Sequence, residues 1–240
     1  MNKRMKTIAI ISTVIAIIIA ILILLLVFYI PKKKKEAELR ERQHLVQEYW
    51  NNKFLVYQEE NEKYSDYEVD VAFLGDSLTD GYNLEKYYPQ FVTANRGIGG
   101  DTTFNLQNRF ELSVYDLKPK VAVMLIGGNN LGTMLDNYEQ MLIELKENLP
   151  KTKIVLVSLS AMGGNYKEKN QIATYNNVII KKLADKYGYD FVDIFTPLFN
   201  EKTGEIYAEY TSDGVHFNER GYEVVTEAIT PIVTKALNNN

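Results

Sequence analysis

Cysteine is absent from this 240-residue chain. That excludes disulfides, zinc–thiolate sites and cysteine nucleophiles, and it fits either side of a bacterial membrane. Histidine is almost absent: only His44 and His216 occur. His44 lies in a charged, helix-like stretch, so His216 is the one credible imidazole base. Positive charge is scarce once the first 35 residues are passed. Seven of the 27 basic residues and none of the 31 acidic ones fall in residues 1–35, which leaves a net charge of −11 on the remainder. Such a surface repels phosphate backbones and argues against nucleic-acid binding. The chain has no internal repeat. Its only biased tracts are one apolar run and the trailing asparagines.

The apolar run is Ile8 to Ile30, 23 residues without a charge. As a helix rising 1.5 Å per residue it covers about 34 Å, enough for a hydrocarbon core of about 30 Å. A cleaved signal peptide is the rival reading. Its apolar stretch would be about 7–15 residues with small residues after it, whereas this run is longer and ends in FYIPKKKK. We read residues 1–7 as a short tail and 8–30 as a single transmembrane anchor in the cell membrane. Basic residues flank the run on both sides, so the positive-inside rule barely chooses. An N-terminal anchor that serves as export signal leaves its short tail in the cytoplasm, which favours an extracytoplasmic domain.

Residues 31–68 are highly charged. Leu39, Val46, Tyr49, Trp50, Phe54 and Tyr57 recur near helical spacing, which predicts a stalk helix laying an apolar stripe on the domain. From 69 to 238, short Val/Ile/Leu-rich runs alternate with amphipathic stretches. Strands are expected at Val69–Leu74, Phe91–Ala94, Val121–Ile126, Ile154–Ser158 and Phe191–Ile194. Helices are expected at about Thr102–Phe110, Leu135–Asn148, Lys169–Tyr187 and Glu219–Leu237. This is an α/β pattern: a five-stranded parallel sheet covered on both faces. Ligands of such sheets bind beyond the carboxyl ends of the strands, and the unusual motifs all follow strands.

GDSLTDG follows the first strand and carries Ser77. It lacks the GxSxG spacing of a nucleophile elbow, and by itself it could be only a helix cap. NRGIGGDTT follows the second strand. Thr102 stands where a dinucleotide loop needs its third glycine, which leaves a tight turn whose N–H groups, such as that of Gly100, face the site. GGNNLG follows the third strand and offers the Asn129 amide as a hydrogen-bond donor. Near the C-terminus, SDGVHF sets Asp213 three residues before His216. A carboxylate there can hold Nδ1 of the imidazole and free Nε2 to take a proton from Ser77. Metal binding by Asp213 and His216 has no third ligand to support it.

Together, in this order, the four motifs resemble the SGNH, or GDSL-type, hydrolase family over about Val69 to Leu237. The resemblance implies a flavodoxin-like three-layer α/β/α fold. It implies Ser77 as nucleophile, Asp213 and His216 as its triad partners, and Ser77, Gly100 and Asn129 as oxyanion donors, with no metal or organic cofactor. The stretch NRGIGGDTTFNLQNRF is especially similar to the branch holding the platelet-activating-factor acetylhydrolase catalytic subunits. Asn130, where many members have Asp, and Phe217, where Pro is frequent, depart from the pattern. The activity implied is serine-esterase hydrolysis of short acyl, mainly acetyl, esters on a carbohydrate or lipid. An O-acetyltransferase of envelope polysaccharide and a thioesterase or lysophospholipase are the alternatives; a tethered binding protein with a relict site is the non-enzymatic one. The loops Ala161–Lys169 and Thr196–Ser212, rich in Gly, Tyr, Asn and acids, are expected to shape the pocket.

Overall fold

A computed structural model describes residues 2–238; Met1 and the final two asparagines lie outside the described residues. The chain divides into two compact units, one up to Asn52 and one from Lys53 onward.

The first unit is helical. Helix α1 (Lys3–Leu24) passes through a π-helical turn at Leu25–Tyr29 into α2 (Ile30–Asn61), whose last turns belong to the second unit. All side chains from Ile8 to Ile30 are exposed. The aliphatic hydroxyls of the run do not stay unmet: Ser12 and Thr13 both donate to the Ala9 carbonyl, at 2.9 Å, as hydroxyls in apolar helices do. By length and composition this helix can cross a membrane.

The second unit is a three-layer α/β/α domain. Its strands are β1 (Val71–Gly75), β2 (Thr93–Gly97), β3 (Val121–Leu125), β4 (Lys153–Val157) and β5 (Asp190–Val192). They form one parallel sheet in the order β2-β1-β3-β4-β5, the flavodoxin-like order. Alternation along each strand sorts the core into two layers. Leu74, Ala122, Met124, Ile154 and Leu156 face one side, against α5 (Thr103–Asn108), α6 (Leu135–Asn148) and α7 (Asn170–Tyr187). Val71, Phe73, Val121, Val123, Val155 and Val157 face the other, against α9 (Glu219–Asn238) and the short α4 (Leu84–Tyr87). Because both faces are buried, the strands read as nearly unbroken apolar runs.

Two expectations shift. The second strand runs from Thr93 to Gly97 rather than Phe91 to Ala94. Asn95 and Arg96 looked like loop residues, yet Arg96 is fully buried because Glu60 and Asn61 of α2 meet its guanidinium. The segment Thr196–Ser212 is not a plain loop. It holds most of α8 (Phe195–Leu198) and a small antiparallel hairpin, β6 (Phe199–Asn200) and β7 (Glu205–Ile206).

The chain reverses its sheet order between β1 and β3, which flank each other although β2 intervenes in sequence. A crevice opens at the carboxyl ends of strands at such a switch point. Ser77 follows β1 and Asn129 follows β3, so both stand at its rim.

Candidate active site

Strand β1 stops at Gly75, and α3 (Ser77–Asp80) begins two residues later. Only glycine permits so abrupt a turn: a Cβ at Gly75 would stand 2.1 Å from Thr79 Oγ1 and 2.3 Å from the Leu125 carbonyl oxygen. Asp76 caps α3, its Oδ1 accepting from the Leu78 N–H at 3.1 Å. Ser77 is therefore the first residue of a short helix, half-buried at the mouth of the crevice.

The C-terminal motif is folded by its own carboxylate. Asp213 Oδ1 accepts from the backbone N–H groups of Val215 and His216, at 2.9 and 2.8 Å. This Asx-type turn curls the chain so that Asp213 Oδ2 meets His216 Nδ1 at 2.7 Å. The ring hydrogen then sits on Nδ1, and Nε2 is left as the acceptor facing Ser77 Oγ at 3.0 Å. The turn is anchored from outside. Thr211 Oγ1 and the Ser212 N–H both donate to the His216 carbonyl, at 2.8 and 2.9 Å. Phe217 packs buried, edge-on to Tyr222, so an apolar ring secures the loop here. The hydrogen bond from the imidazole, joined by the His216 and Val215 N–H groups, draws the Asp213 carboxyl down to about 2.

The cleft around Ser77 has a volume of about 210 Å³. Its lining includes Asp76, Ser77, Asn129, Asp213 and His216, with apolar walls from Leu78, Leu159, Met162 and Val215. Asn129 Nδ2 donates to the Asp101 carbonyl at 2.9 Å. That bond uses one amide hydrogen and fixes the side chain; an amide has a second. Gly100 is placed differently. It sits exposed, with φ +84°, at the tip of a turn closed by the Asp101 N–H on the Ile98 carbonyl, and it is not part of the cleft lining. Of the two loops expected to shape the pocket, Ala161–Lys169 contributes Met162, Tyr166 and Lys169, whereas among the described residues Thr196–Ser212 contributes none. Tyr207 and Tyr210 of that segment pack on each other instead.

Asn130 has a physical reason to be an amide. Thr103 Oγ1 donates to Asn137 Oδ1 at 2.6 Å, so it must accept from residue 130, and Asn130 Nδ2 donates to it at 3.0 Å while Asn130 Oδ1 accepts from the Thr103 N–H. A carboxylate there could not donate.

Sequence reasoning missed Asp76, and it missed Arg109 with the Asp101 carboxylate it holds. Asp76 is 4% exposed and forms no salt bridge among the described residues, and burial pushes its carboxyl up to about 7. Arg109 is buried and binds four acceptors. Its Nε donates to Asp101 Oδ2 (2.7 Å), Nη1 to Ser113 Oγ (2.7 Å), and Nη2 to the carbonyls of Gly75 (3.0 Å) and Arg96 (2.8 Å). It thus ties the residue before the Asp76–Ser77 turn to β2 and to the carboxylate of Asp101, the residue whose carbonyl accepts from Asn129. Among the described residues, no group of three or more His, Asp or Glu side chains stands close enough to hold a metal.

Comparison with protein families finds a match over residues 73–224 to the GDSL-like lipase/acylhydrolase family. An acetylxylan esterase from Geobacillus stearothermophilus is 28% identical over 200 residues, spanning 66% of this chain and 90% of its own. The platelet-activating factor acetylhydrolase IB subunit alpha2 of Gallus gallus is 24% identical over 184 residues, spanning 72% and 79%. Among solved structures, a GDSL-like lipase from Bacteroides thetaiotaomicron superposes with a TM-score of 0.68 at 25% identity, covering 76% of this chain and 98% of that one.

Proposed function

The chain belongs to the GDSL-like lipase/acylhydrolase family, and on that footing we propose that it is a membrane-anchored serine esterase removing short acyl groups, acetyl foremost, from a carbohydrate or lipid. The observation that carries this reading is the unbroken line of hydrogen bonds from Asp213 through His216 to Ser77 at the cleft mouth, with Asn129 on the same wall.

In this reading Ser77 Oγ attacks the ester carbonyl carbon while His216 Nε2 takes its proton. Asp213 holds the imidazole by Nδ1 and offsets the imidazolium charge. The oxyanion accepts from the Ser77 N–H and from the free amide hydrogen of Asn129. The Gly100 N–H is the third donor; because Gly100 does not border the cleft, the other two carry the main weight. Collapse expels the alcohol, which takes the proton from Nε2, and leaves an acyl-serine. Water, activated by the same imidazole, then releases the acid and restores Ser77.

Two observations support a short acyl group on a sugar. A cleft of about 210 Å³ with apolar walls suits a small acyl chain. Tyr166 at its mouth, 44% exposed, offers a ring face on which a pyranose can stack. The likeness to an acetylxylan esterase points the same way. The uncharged, exposed run Ile8–Ile30 supports the anchor, and in this reading the short tail stays in the cytoplasm and the acidic domain lies outside it.

The test is a series of p-nitrophenyl esters of rising chain length, run beside acetylated xylo-oligosaccharides, with fluorophosphonate labelling of Ser77. The expected outcome is labelling at Ser77 and a sharp fall in kcat/KM beyond four acyl carbons. No labelling and no turnover would refute the esterase; turnover rising with chain length would replace acetyl with long-chain lipid substrates. Acetyl appearing on an added sugar instead of as free acetate would make it a transferase. Protease accessibility on intact cells reads the orientation.

A further inference from the structure

The family match begins at residue 73, yet the end of α2, well upstream, is built into the back of the site. Tyr57 is 1% exposed, and its hydroxyl donates to the Gly97 carbonyl at 2.7 Å. Two guanidinium groups lie over its ring: Arg96 at 4.7 Å and Arg109 at 5.9 Å from the centroid. One turn on, Glu60 pairs with Arg96 Nη1, and Asn61 Oδ1 accepts from Nη2 at 3.0 Å. Asn61 Nδ2 donates onward to the Leu112 carbonyl at 2.7 Å. Lys53 pairs with Asp80, the last residue of α3.

Gly97, the residue Tyr57 holds, ends β2 and opens the turn to Gly100 and Asp101. It also abuts α3: a Cβ on Gly97 would lie 2.1 Å from the Asp80 nitrogen. A shift of the Gly97 backbone must therefore push α3, whose first residue is Ser77, or drag Asp101, whose carbonyl fixes Asn129. Interiors packed this closely transmit displacement.

We propose that Tyr57 is a positioning residue of the esterase, pinning the end of β2 so that Ser77 and Asn129 keep their mutual geometry. This rests on the esterase reading above. The last turns of α2 are then part of the catalytic apparatus, although they lie outside the family-matched region.

The experiment uses the full chain and two variants that each remove one buried hydroxyl–carbonyl hydrogen bond. Tyr57→Phe removes the bond to Gly97. Thr152→Val removes the 2.7 Å bond from Thr152 Oγ1 to the Pro119 carbonyl, 7% exposed at the opposite end of the sheet. Both should lower Tm by about 2–4 °C. Only Tyr57→Phe should lower kcat, by about tenfold, inside the ~10²-fold that a 1 Å misplacement can cost. KM should hardly move, and fluorophosphonate labelling of Ser77 should slow in step with kcat. Equal kcat losses in the two variants, or a wild-type kcat in Tyr57→Phe, would overturn the proposal. Glu60→Gln keeps an acceptor for Arg96 but removes the charge. It should give a smaller kcat loss of the same kind, and it decides the matter should Tyr57→Phe not fold; full kcat there also overturns the proposal. Wild-type protein that neither labels nor turns over ester would instead sink the esterase reading itself.

Discussion

Replacing Arg109 by Met tests how the site is held together. Side-chain exposure is 3% for Arg109 and 0% for Asp101. The substitution leaves the Asp101 carboxylate buried without its cation, and among the described residues Asp101 Oδ1 has no hydrogen-bond partner to begin with. Burial raises the Asp101 carboxyl, and Arg109 is the main influence holding it down. Removing one member of a buried pair costs about 3–5 kcal/mol. The Gly75 and Arg96 carbonyls also lose a donor, so the upper half of that range is expected. For a domain of this size a loss of about 4–5 kcal/mol corresponds to a fall in Tm of about 8–20 °C, a large part of a total stability of about 5–15 kcal/mol. The double variant Asp101→Asn/Arg109→Met removes the stranded charge and should recover much of the loss. Arg109→Lys should not, since an ammonium cannot serve four acceptors in a plane. Urea unfolding followed by circular dichroism gives the three values. A single-variant cost below about 1 kcal/mol, or a double variant no more stable than the single, would refute the argument that a buried ion pair clamps these three segments.

Three further outcomes are expected. Asn129→Ala should stay folded and lose about 10²–10³ in kcat, the usual cost of one oxyanion donor; full turnover on p-nitrophenyl acetate would remove Asn129 from the site. Asp213→Asn should lose about 10⁴-fold and His216→Ala about 10⁶-fold, because the carboxylate orients the base that carries the proton. Since the Asp213 carboxyl lies near 2, it stays ionised through pH 4–9, and a rate loss in that window that vanishes in Asp213→Asn would contradict its assigned state. Asp76 should show in stability. The unfolded carboxyl ionises near 4, whereas the folded one keeps its proton to about 7. Between those values folding takes up a proton, so stability falls as pH rises and the burden persists above 7. Asn keeps the cap without the charge. The Tm advantage of Asp76→Asn over wild type should therefore grow from pH 4 to pH 7 and then level off; a pH-independent difference would mean the carboxyl is not perturbed.

What the sequence made legible follows from how local each constraint is. Strands β1, β3, β4 and β5 and helices α6, α7 and α9 fall within about three residues of expectation, because burial on both sheet faces and on one helix face writes itself into neighbouring residues. The positions of Ser77, Asp213 and His216 were legible for the same reason: a strand end carries the serine, and three residues suffice to join carboxylate and imidazole. Among the apolar positions of α2, Tyr57 is buried while Leu39 and Val46 are 55% and 51% exposed; helical spacing marks candidates for burial without saying which of them are buried. Strand β2 was displaced because Asn95 and Arg96 are polar, and what buries Arg96 comes from residues 60 and 61, more than thirty positions away. Asp76, Asp101 and Arg109 escaped for the same reason. Each is an ordinary surface type, and only the fold brings Gly75, Arg96 and Asp101 to the Arg109 guanidinium. The proposed catalytic motif thus advertises itself, while the frame that holds it does not. Tyr57 and Arg109, unremarkable as letters, are therefore positions whose substitution should reach the site from outside the motifs.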